Sequence, residues 1–534
     1  MALTTLVLSA LALTFIAYFI SASTQQRQHN LPPGPKPLPI LGNMLDFPPA
    51  GTAEHKHWLA HKDLYGGLSS VSVLGTTMVI IHDREIAHSL LDQLSAKTSG
   101  RPSMVMAGKL CGYEKIVLCQ GYDASFRRNR RFLHRELGTK VSAAQFQAVQ
   151  EVEVNRLLVR ALNEPEAWLE HLKTAAGATV LKMAYGYTID PHKPDPLVTL
   201  IDKMMTEFSL ASVPMGWAVD IIPALQHLPE NFPGAGFQKT ARKWRKSIQD
   251  SAHIPYWFAW QQLESSQAKP SFVSKLIQQL KAENDGILDP EDEQAIIWTA
   301  ASLYGAAADT TVIALTAFTA AMIMYPDVQR KAQEEIDRVV GSDTLPTFAD
   351  RERLPYINAL VKEVLRWWPV APMGFPHTAT EDIEYGGYRI PKGSMLLPAV
   401  WWFTHDPAVH ADPDAFDPDR FLAPRNEPES YMELWGYGRR ICPGRFFADA
   451  GLYLNIVQSL AVFDLRKAVG EDGVEIGLDM KPKPGVLAYP TKFEYRIEPR
   501  SERHVELIRK AEDTVGWEES DAHKLDSVDK FEVV

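Results

Sequence analysis

The chain has 534 residues, 46% of them hydrophobic and 23% charged, enough apolar material for one very large domain or several ordinary ones. Its net charge of -11 argues against a nucleic-acid partner, because the phosphate backbone would be repelled. Three cysteines, Cys111, Cys119 and Cys442, are too few for a disulfide framework and suit a reducing compartment.

From Ala2 to Ile20 no side chain is charged, and Leu, Ala, Phe and Ile dominate. About twenty such residues cross a hydrocarbon core of about 30 Å, so residues 1–22 read as an N-terminal transmembrane helix. Arg27, Lys36, Lys56 and Lys62 follow it while no charged side chain precedes it, which places the body in the cytosol by the positive-inside rule. A secretory signal peptide, with Ser21 and Ser23 before its cleavage site, is the competing reading, but it lacks the basic leading region. Residues 23–50 include Leu31-Pro32-Pro33-Gly34-Pro35-Lys36-Pro37-Leu38-Pro39, which cannot continue a helix and reads as a semi-rigid spacer.

The body, residues 51–500, opens with strands near Leu68–Leu74 and Thr77–Ile81, pairing across Gly75-Thr76. A third lies near Ile383–Ile390, broken by Gly386-Gly387. Most of the remainder reads as helix. The longest candidate runs from Glu293 to Met324, stopped by Pro326, and is apolar on nearly every side, which places it in the core. The class is mainly α with a minor β region. Residues 501–534 alternate acidic and basic side chains, with few large apolar ones after Trp517, and read as a solvated charged tail.

The run Trp435-Gly436-Tyr437-Gly438-Arg439-Arg440-Ile441-Cys442-Pro443-Gly444-Arg445 carries the chemistry. Two glycines permit a tight turn that passes close to something flat. Pro443 is a favoured first residue of a helix, which Phe446 to Val462 would continue. A thiolate at a helix start is stabilised by the dipole and by free N–H groups, and Arg440 adds a cation. A structural cysteine after a glycine turn is the plain alternative. The segment resembles the heme-binding loop of the cytochrome P-450 family, matching at Gly438, Arg440, Cys442 and Gly444, with Trp435 where that family usually has Phe. The resemblance implies a single large P-450-type heme domain behind the anchor. It implies heme b with its iron axially ligated by Cys442, Trp435 packed against the sulfur, and Arg440 on a heme propionate.

Three further segments fit the same resemblance in order. Phe126-Arg127-Arg128-Asn129-Arg130-Arg131 resembles the family's Trp-x-x-x-Arg helix, which makes Arg130 a second propionate ligand. His377 stands where the family often places a third, a solvent-exposed histidine being the alternative. Leu303, Ala306, Ala307, Thr310 and Ala314 fall on one face of the long helix, where small Ala306 and Ala307 let a planar cofactor approach. In the family an acid–threonine pair sits there, so Asp309 relays protons from water and Thr310 donates a hydrogen bond to the oxygen being activated. The plain alternative, an incidental Asp-Thr-Thr in a buried helix, leaves a costly buried acid. Glu363 and Arg366 lie i to i+3 on a helix and, by the resemblance, are completed by Arg420 into a structural trio behind the heme.

The resemblance implies a monooxygenase that inserts one oxygen atom from O2 into a lipophilic small molecule. It is similar to fungal membrane-bound members that tailor polyketides, terpenoids or alkaloids. Gly436-Tyr437-Gly438 lies outside any strand-turn-helix unit and is no nucleotide fingerprint, so electrons come from another protein, an NADPH-dependent flavoprotein reductase. The basic cluster Arg127, Arg128, Arg130, Arg131 and Arg135 is the candidate docking face for it. The implied setting is the endoplasmic reticulum membrane, single-pass, with the catalytic domain facing the cytosol. Substrate-facing segments by family position are Met104–Cys119, Phe208–Trp217, Leu303–Ala307, Val370–Phe375 and Val486–Tyr489, mostly apolar. A heme-thiolate isomerase or dehydratase would need neither O2 nor reductase, and Asp309-Thr310 argues against it. A non-enzymatic heme sensor or electron carrier is disfavoured by the same pair and by the anchor.

Overall fold

Apolar runs at Leu68–Val73 (β1) and Thr76–Ile81 (β2) pair antiparallel in the computed structural model, which describes residues 30–39, 41–49, 51–191, 193–265 and 267–527. The connecting turn is Leu74-Gly75, one residue earlier than the sequence suggests, with φ of 46° and 90°; two positive φ values match the twist of a two-residue hairpin. His377–Thr378 (β3), Ile383–Tyr385 (β4), Tyr388–Ile390 (β5) and Met395–Pro398 (β6) follow. The main sheet has the order β1-β2-β6-β3, with β2 and β6 parallel. Residues 383–390 are a hairpin rather than one broken strand, turning at Gly386 and Gly387, both at positive φ. Phe463–Lys467 (β7) and Tyr495–Pro499 (β8) form a separate ribbon.

The helices that carry the site are Ala124–Leu137 (α1), Gln147–Asn163 (α2), Trp168–Tyr185 (α3), Pro196–Ala211 (α4), Gly236–Glu264 (α5), Pro290–Met324 (α6), Pro355–Trp367 (α7), Arg445–Val462 (α8) and Glu502–Val515 (α9). Three of these starts, those of α1, α4 and α6, are written in short acidic caps. Asp123 accepts from Phe126 N–H at 2.8 Å, Asp195 from Leu197 N–H at 2.9 Å and Asp289 from Glu291 N–H at 2.8 Å. Pro290 at the first position and Glu291, Asp292 and Glu293 in the first turn start α6 three residues before its apolar pattern begins. Its end falls at Met324, because Pro326 offers no N–H.

Around α6 pack α1, α3, α4, α5 and α8. One hydrophobic cluster gathers its first half with α4 and α5, through Ile296, Ile297, Leu303, Phe208 and Phe258. A second gathers its later half with α2, α3, α7 and α8, through Phe318, Met322, Leu157, Leu360 and Leu460. Residues 306–313 fall at the junction of the two. Among the described residues α6 alone is long and apolar enough to cross a membrane, and 67% of its most apolar window is buried inside the body. The expected anchor at residues 1–22 lies outside the described residues.

Two terminal segments depart from expectation. The proline-rich stretch lies along β1: Pro32 O accepts from Ser70 Oγ at 2.6 Å and Pro33 O from Ser70 N–H at 2.8 Å. A Cβ on Gly34 would stand 1.9 Å from Ser70 O, so glycine is what allows this approach. Proline, lacking an N–H, is suited to such an edge, and the spacer is part of the body from Pro32 onward. The C-terminal segment is likewise docked as far as Ser527. His504, Leu507 and Ile508 are buried on one face of α9, a helical spacing that the alternating charges disguise. Burying each of the two aliphatic side chains contributes about 2 kcal/mol. Beyond α9, Trp517 lies over the Arg156 and Arg160 guanidiniums at 5.6 and 5.2 Å, and Glu518 pairs with Lys182 at 2.5 Å and Lys269 at 3.2 Å.

Candidate active site

The Cys442 loop is a tight construction. Gly436 and Gly438 have φ of 80° and 50°, and a Cβ at Gly438 would lie 2.5 Å from Ser95 Cβ and 2.8 Å from Leu91 O. Gly438 N–H donates to Asp92 Oδ1 at 2.9 Å, and Cys442 N–H closes the loop on Trp435 O at 2.7 Å. Gly444 is the residue flanking α8, which begins at Arg445, so Pro443 precedes the helix instead of opening it. Burial pushes the Cys442 thiol up, while the N–H groups of Gly444 and Arg445, directed at the sulfur, and the charges of Arg130 and Arg445 push it down. Burial holds Cys111 and Cys119 as neutral thiols, both pushed up to about 12.

Beside this loop sits a cationic cluster of one buried and two half-buried arginines. Arg440 donates from Nε to Ser99 O at 2.9 Å and from Nη2 to Gln120 O at 2.7 Å, and lies 3.8 Å from the Phe126 ring centre. Its Nη1 is buried without a partner. Arg101 reaches Leu118 O at 2.9 Å, Phe375 O at 3.0 Å and Pro376 O at 2.6 Å. Arg130 donates to Ile441 O at 2.8 Å, tying α1 to the cysteine loop. Among the described residues every hydrogen-bond acceptor of these guanidiniums is a backbone carbonyl. Burial and then the neighbouring Arg101 and Arg130 push Arg440 down to about 9, and burial pushes Arg101 down to about 10. A buried guanidinium beside two half-buried ones, with no carboxylate in contact, calls for an anion, and the two carboxylates of a heme meet that need.

His377 is 4% exposed, which removes the solvent-exposed alternative. Its Nδ1 faces Thr98 O at 2.9 Å and must carry the hydrogen, since a carbonyl only accepts. Burial, then Arg101, holds the ring neutral. Nε2 therefore donates to a carboxylate only once the ring is protonated.

On the facing side, Ala306 is exposed and Ala307 and Thr310 are half-buried, although α6 runs through the core, while Leu303 and Ala314 are buried. Thr310 Oγ1 donates to Ala306 O at 2.7 Å. Asp309 is 7% exposed, and its carboxyl is pushed up to about 7 by burial, against a hydrogen bond from Tyr489. The five apolar segments predicted to face substrate meet in one cluster, through Met104, Phe208, Leu303, Val370 and Val486 among others. A cleft beside them is lined by Pro214, Pro372, Met373, Gly374, Val486 and Ala488.

Glu363, Arg366 and Arg420 are each 0% exposed. Arg366 pairs with Glu363 in fork fashion, Nε to Oε2 at 2.7 Å and Nη2 to Oε1 at 2.8 Å, and Arg420 Nε reaches Oε1 at 3.0 Å. Asp417 N–H adds a bond to Oε1 at 2.8 Å, and Glu427 accepts from Arg420 Nη1 at 2.9 Å. Arg101, Asp92, Tyr489 and Glu427 escape the sequence reading as partners of this machinery. Arg101, between Gly100 and Pro102, carries no periodic mark, Asp92 and Tyr489 act across 346 and 180 residues, and Glu427 lies in a loop seven residues from Arg420.

The cytochrome P450 family model matches residues 32–495. The chain is 48% identical over 517 residues to the cytochrome P450 monooxygenase CLM2 of Gibberella zeae, covering 96% of this chain and 97% of that one. It is 45% identical over 515 residues to the multifunctional cytochrome P450 monooxygenase af510 of Aspergillus fumigatus, covering 96% of each. It is 38% identical over 495 residues to the O-methylsterigmatocystin oxidoreductase of Aspergillus flavus, covering 92% of each. The chain belongs to the cytochrome P450 family. It is a heme-thiolate monooxygenase, which uses O2, a small-molecule substrate and a redox partner.

Proposed function

We propose that this enzyme hydroxylates or otherwise oxidises a lipophilic intermediate of fungal secondary metabolism, a polyketide, terpenoid or alkaloid. The observation that carries the reading is that all five candidate substrate segments contribute to one apolar cluster, to which Leu303 and Ala307 of α6 also belong. The kinship with a fungal oxidoreductase of O-methylsterigmatocystin supports the substrate class.

Cys442 is the residue we assign to the iron, because backbone N–H groups are directed at its sulfur. Arg440, Arg130 and Arg101 would hold the heme carboxylates, with His377 joining when protonated. Gly438 and Gly444 would let the loop lie close to the cofactor, with Trp435 at the start of that loop, and Ala306 and Ala307 would leave room for it on α6. When bound, heme supplies oxygen activation, with the thiolate donating electron density toward O–O cleavage. Asp309 takes up a proton and passes it toward the Thr310 hydroxyl, whose own hydrogen rests on Ala306 O. The apolar walls exclude water and orient substrate.

Residues 1–22 anchor the chain in the endoplasmic reticulum membrane with the body in the cytosol. Electrons come from an NADPH-dependent flavoprotein reductase that docks near the Cys442 loop. Arg127, Arg131, Arg135 and Arg439 are exposed there, and Arg127 and Arg439 share Tyr122, at 5.7 and 5.0 Å from its ring centre. Arg128 is tied to Asp292 at 3.2 Å and contributes less. Arg127→Glu with Arg439→Glu should lower reductase-driven turnover about 10-fold and flatten its salt dependence, leaving the carbon monoxide spectrum intact. Turnover and salt dependence that match the unaltered enzyme would remove this face from consideration.

The reading as a whole is tested in microsomes carrying the enzyme and a reductase, supplied with oxygen-18-labelled O2 and a panel of fungal terpenoids, polyketides and alkaloids. A product carrying one labelled atom is expected. Conversion that proceeds under argon would assign an isomerase or dehydratase instead.

A further inference from the structure

Asp309 has a partner that comes from a distant part of the chain. Tyr489, 180 residues away, donates its phenol hydrogen to Asp309 Oδ2. The segment that delivers this ring is fixed on two sides. Ala488 donates its N–H to Val370 O at 2.9 Å and accepts from Trp368 Nε1 at 2.7 Å. Leu487 N–H meets Ser209 Oγ at 3.4 Å. Gly485 has φ +136°, and a Cβ there would lie 2.4 Å from Ser209 Oγ, so the approach to α4 requires glycine. A phenol on so constrained a segment is aimed at its acceptor before any substrate arrives, and a hydrogen bond to a carboxylate is among the stronger ones.

The other charged groups acting on Asp309 are Asp202 of α4 and Lys173 of α3. They pair with each other at 3.1 Å, at side-chain exposures of 47% and 41%. That pair reaches solvent and acts on the buried acid through its charges, whereas Tyr489 holds it by a direct hydrogen bond.

We infer that Tyr489 is a positioning residue for Asp309, fixing the orientation of the carboxyl through the hydrogen bond on Oδ2 and favouring its ionised form, from which it can take up a proton. The inference rests on the proposed proton role of Asp309. Tyr489 keeps its own proton throughout, since burial and the adjacent Asp309 push its phenol far above the ordinary range. For Asp309, burial and Asp202 push the carboxyl up, while Tyr489 and Lys173 push it down. Removing the phenol hydroxyl thus moves the acid's titration upward.

The experiment uses the full-length, heme-loaded protein and two readouts. The first is infrared difference spectroscopy of the protonated carboxyl against pH, with Asp309→Asn identifying the band. The second is reductase-driven peroxide release against pH, which needs no identified substrate. In Tyr489→Phe the Asp309 band should titrate about one pH unit higher than in the unaltered enzyme, and the inflection of peroxide release should move with it. An unshifted band in a variant with a normal carbon monoxide spectrum would overturn the inference, leaving Tyr489 as packing. A shifted band together with a peroxide profile that Asp309→Asn leaves unchanged upholds the positioning and overturns the proton role instead. Should Tyr489→Phe fail to take up heme, a ring-fluorinated tyrosine at 489, a more acidic donor, is expected to shift the band downward. No shift there would equally overturn the inference.

Discussion

Cys442→Ala abolishes the strongly red-shifted Soret band of the dithionite-reduced, carbon monoxide-treated protein and lowers reductase-driven turnover by more than about 100-fold, if the sulfur is the iron's ligand. Loss of groups that merely support a ligand already costs about 10- to 100-fold, so loss of the ligand itself exceeds that. The effect is local. Cys442 is held through its own N–H on Trp435 O at 2.7 Å, a bond that alanine keeps, so the loop retains its shape. Cys119→Ala is the informative control. Arg101 and Arg440 lower its thiol, yet burial outweighs them and leaves it at about 12. Its band is expected to survive. A band retained in Cys442→Ala, or lost in Cys119→Ala, would move the ligand elsewhere.

The cysteine loop is legible in the sequence because its requirements are local. Gly436 and Gly438 are needed for positive φ, and Cys442 must precede a helix start, all within eleven residues. The long central helix is legible for the opposite reason: apolar and small side chains run along it after its first turn, and an acidic cap with Pro290 opens it. What stays hidden is contact between distant segments. Arg101 looks like an isolated surface cation until the fold sets it against Phe375 and Pro376 carbonyls, 274 and 275 residues away. Tyr489 sits in an apolar segment and reads as pocket lining; only the return of that segment over α6 makes it the partner of Asp309.

The C-terminal segment shows how averaging misleads. Its charges suggest a solvated tail, yet His504, Leu507 and Ile508 share one helical face and are buried. Two aliphatic side chains and a histidine on one face dock a helix whatever the composition of its outer face. The proline-rich stretch errs in the same direction. Proline forbids helix, but it leaves carbonyls free to accept, and Pro32 and Pro33 use theirs on Ser70.

The largest effect on stability is expected from Glu363. Its carboxylate is the common acceptor for two guanidiniums that are wholly out of water. The other donors of Arg366 rest on backbone carbonyls such as Thr404 O and Pro413 O at 2.9 and 2.8 Å, and those of Arg420 on carbonyls and on Glu427. Glu363→Ala leaves Arg366 without a carboxylate, and leaves Arg420 with Glu427 alone. Breaking a buried ion pair by removing one partner costs about 3–5 kcal/mol, a large share of the roughly 5–15 kcal/mol that holds a typical domain together. The network joins α7 to the Asp412–Phe421 loop, which precedes the cysteine loop in the chain, so heme uptake should fail together with the fold. Glu363→Gln keeps the shape but not the charge and belongs between the two. An exposed pair gives the contrast: Asp479→Ala, facing Lys481 at side-chain exposures of 74% and 67%, should leave the thermal midpoint where it was. The measurement is thermal unfolding by circular dichroism, with heme content read on the same samples. A Glu363→Ala protein that loads heme and melts with the unaltered enzyme would show that the buried trio does not hold the fold together.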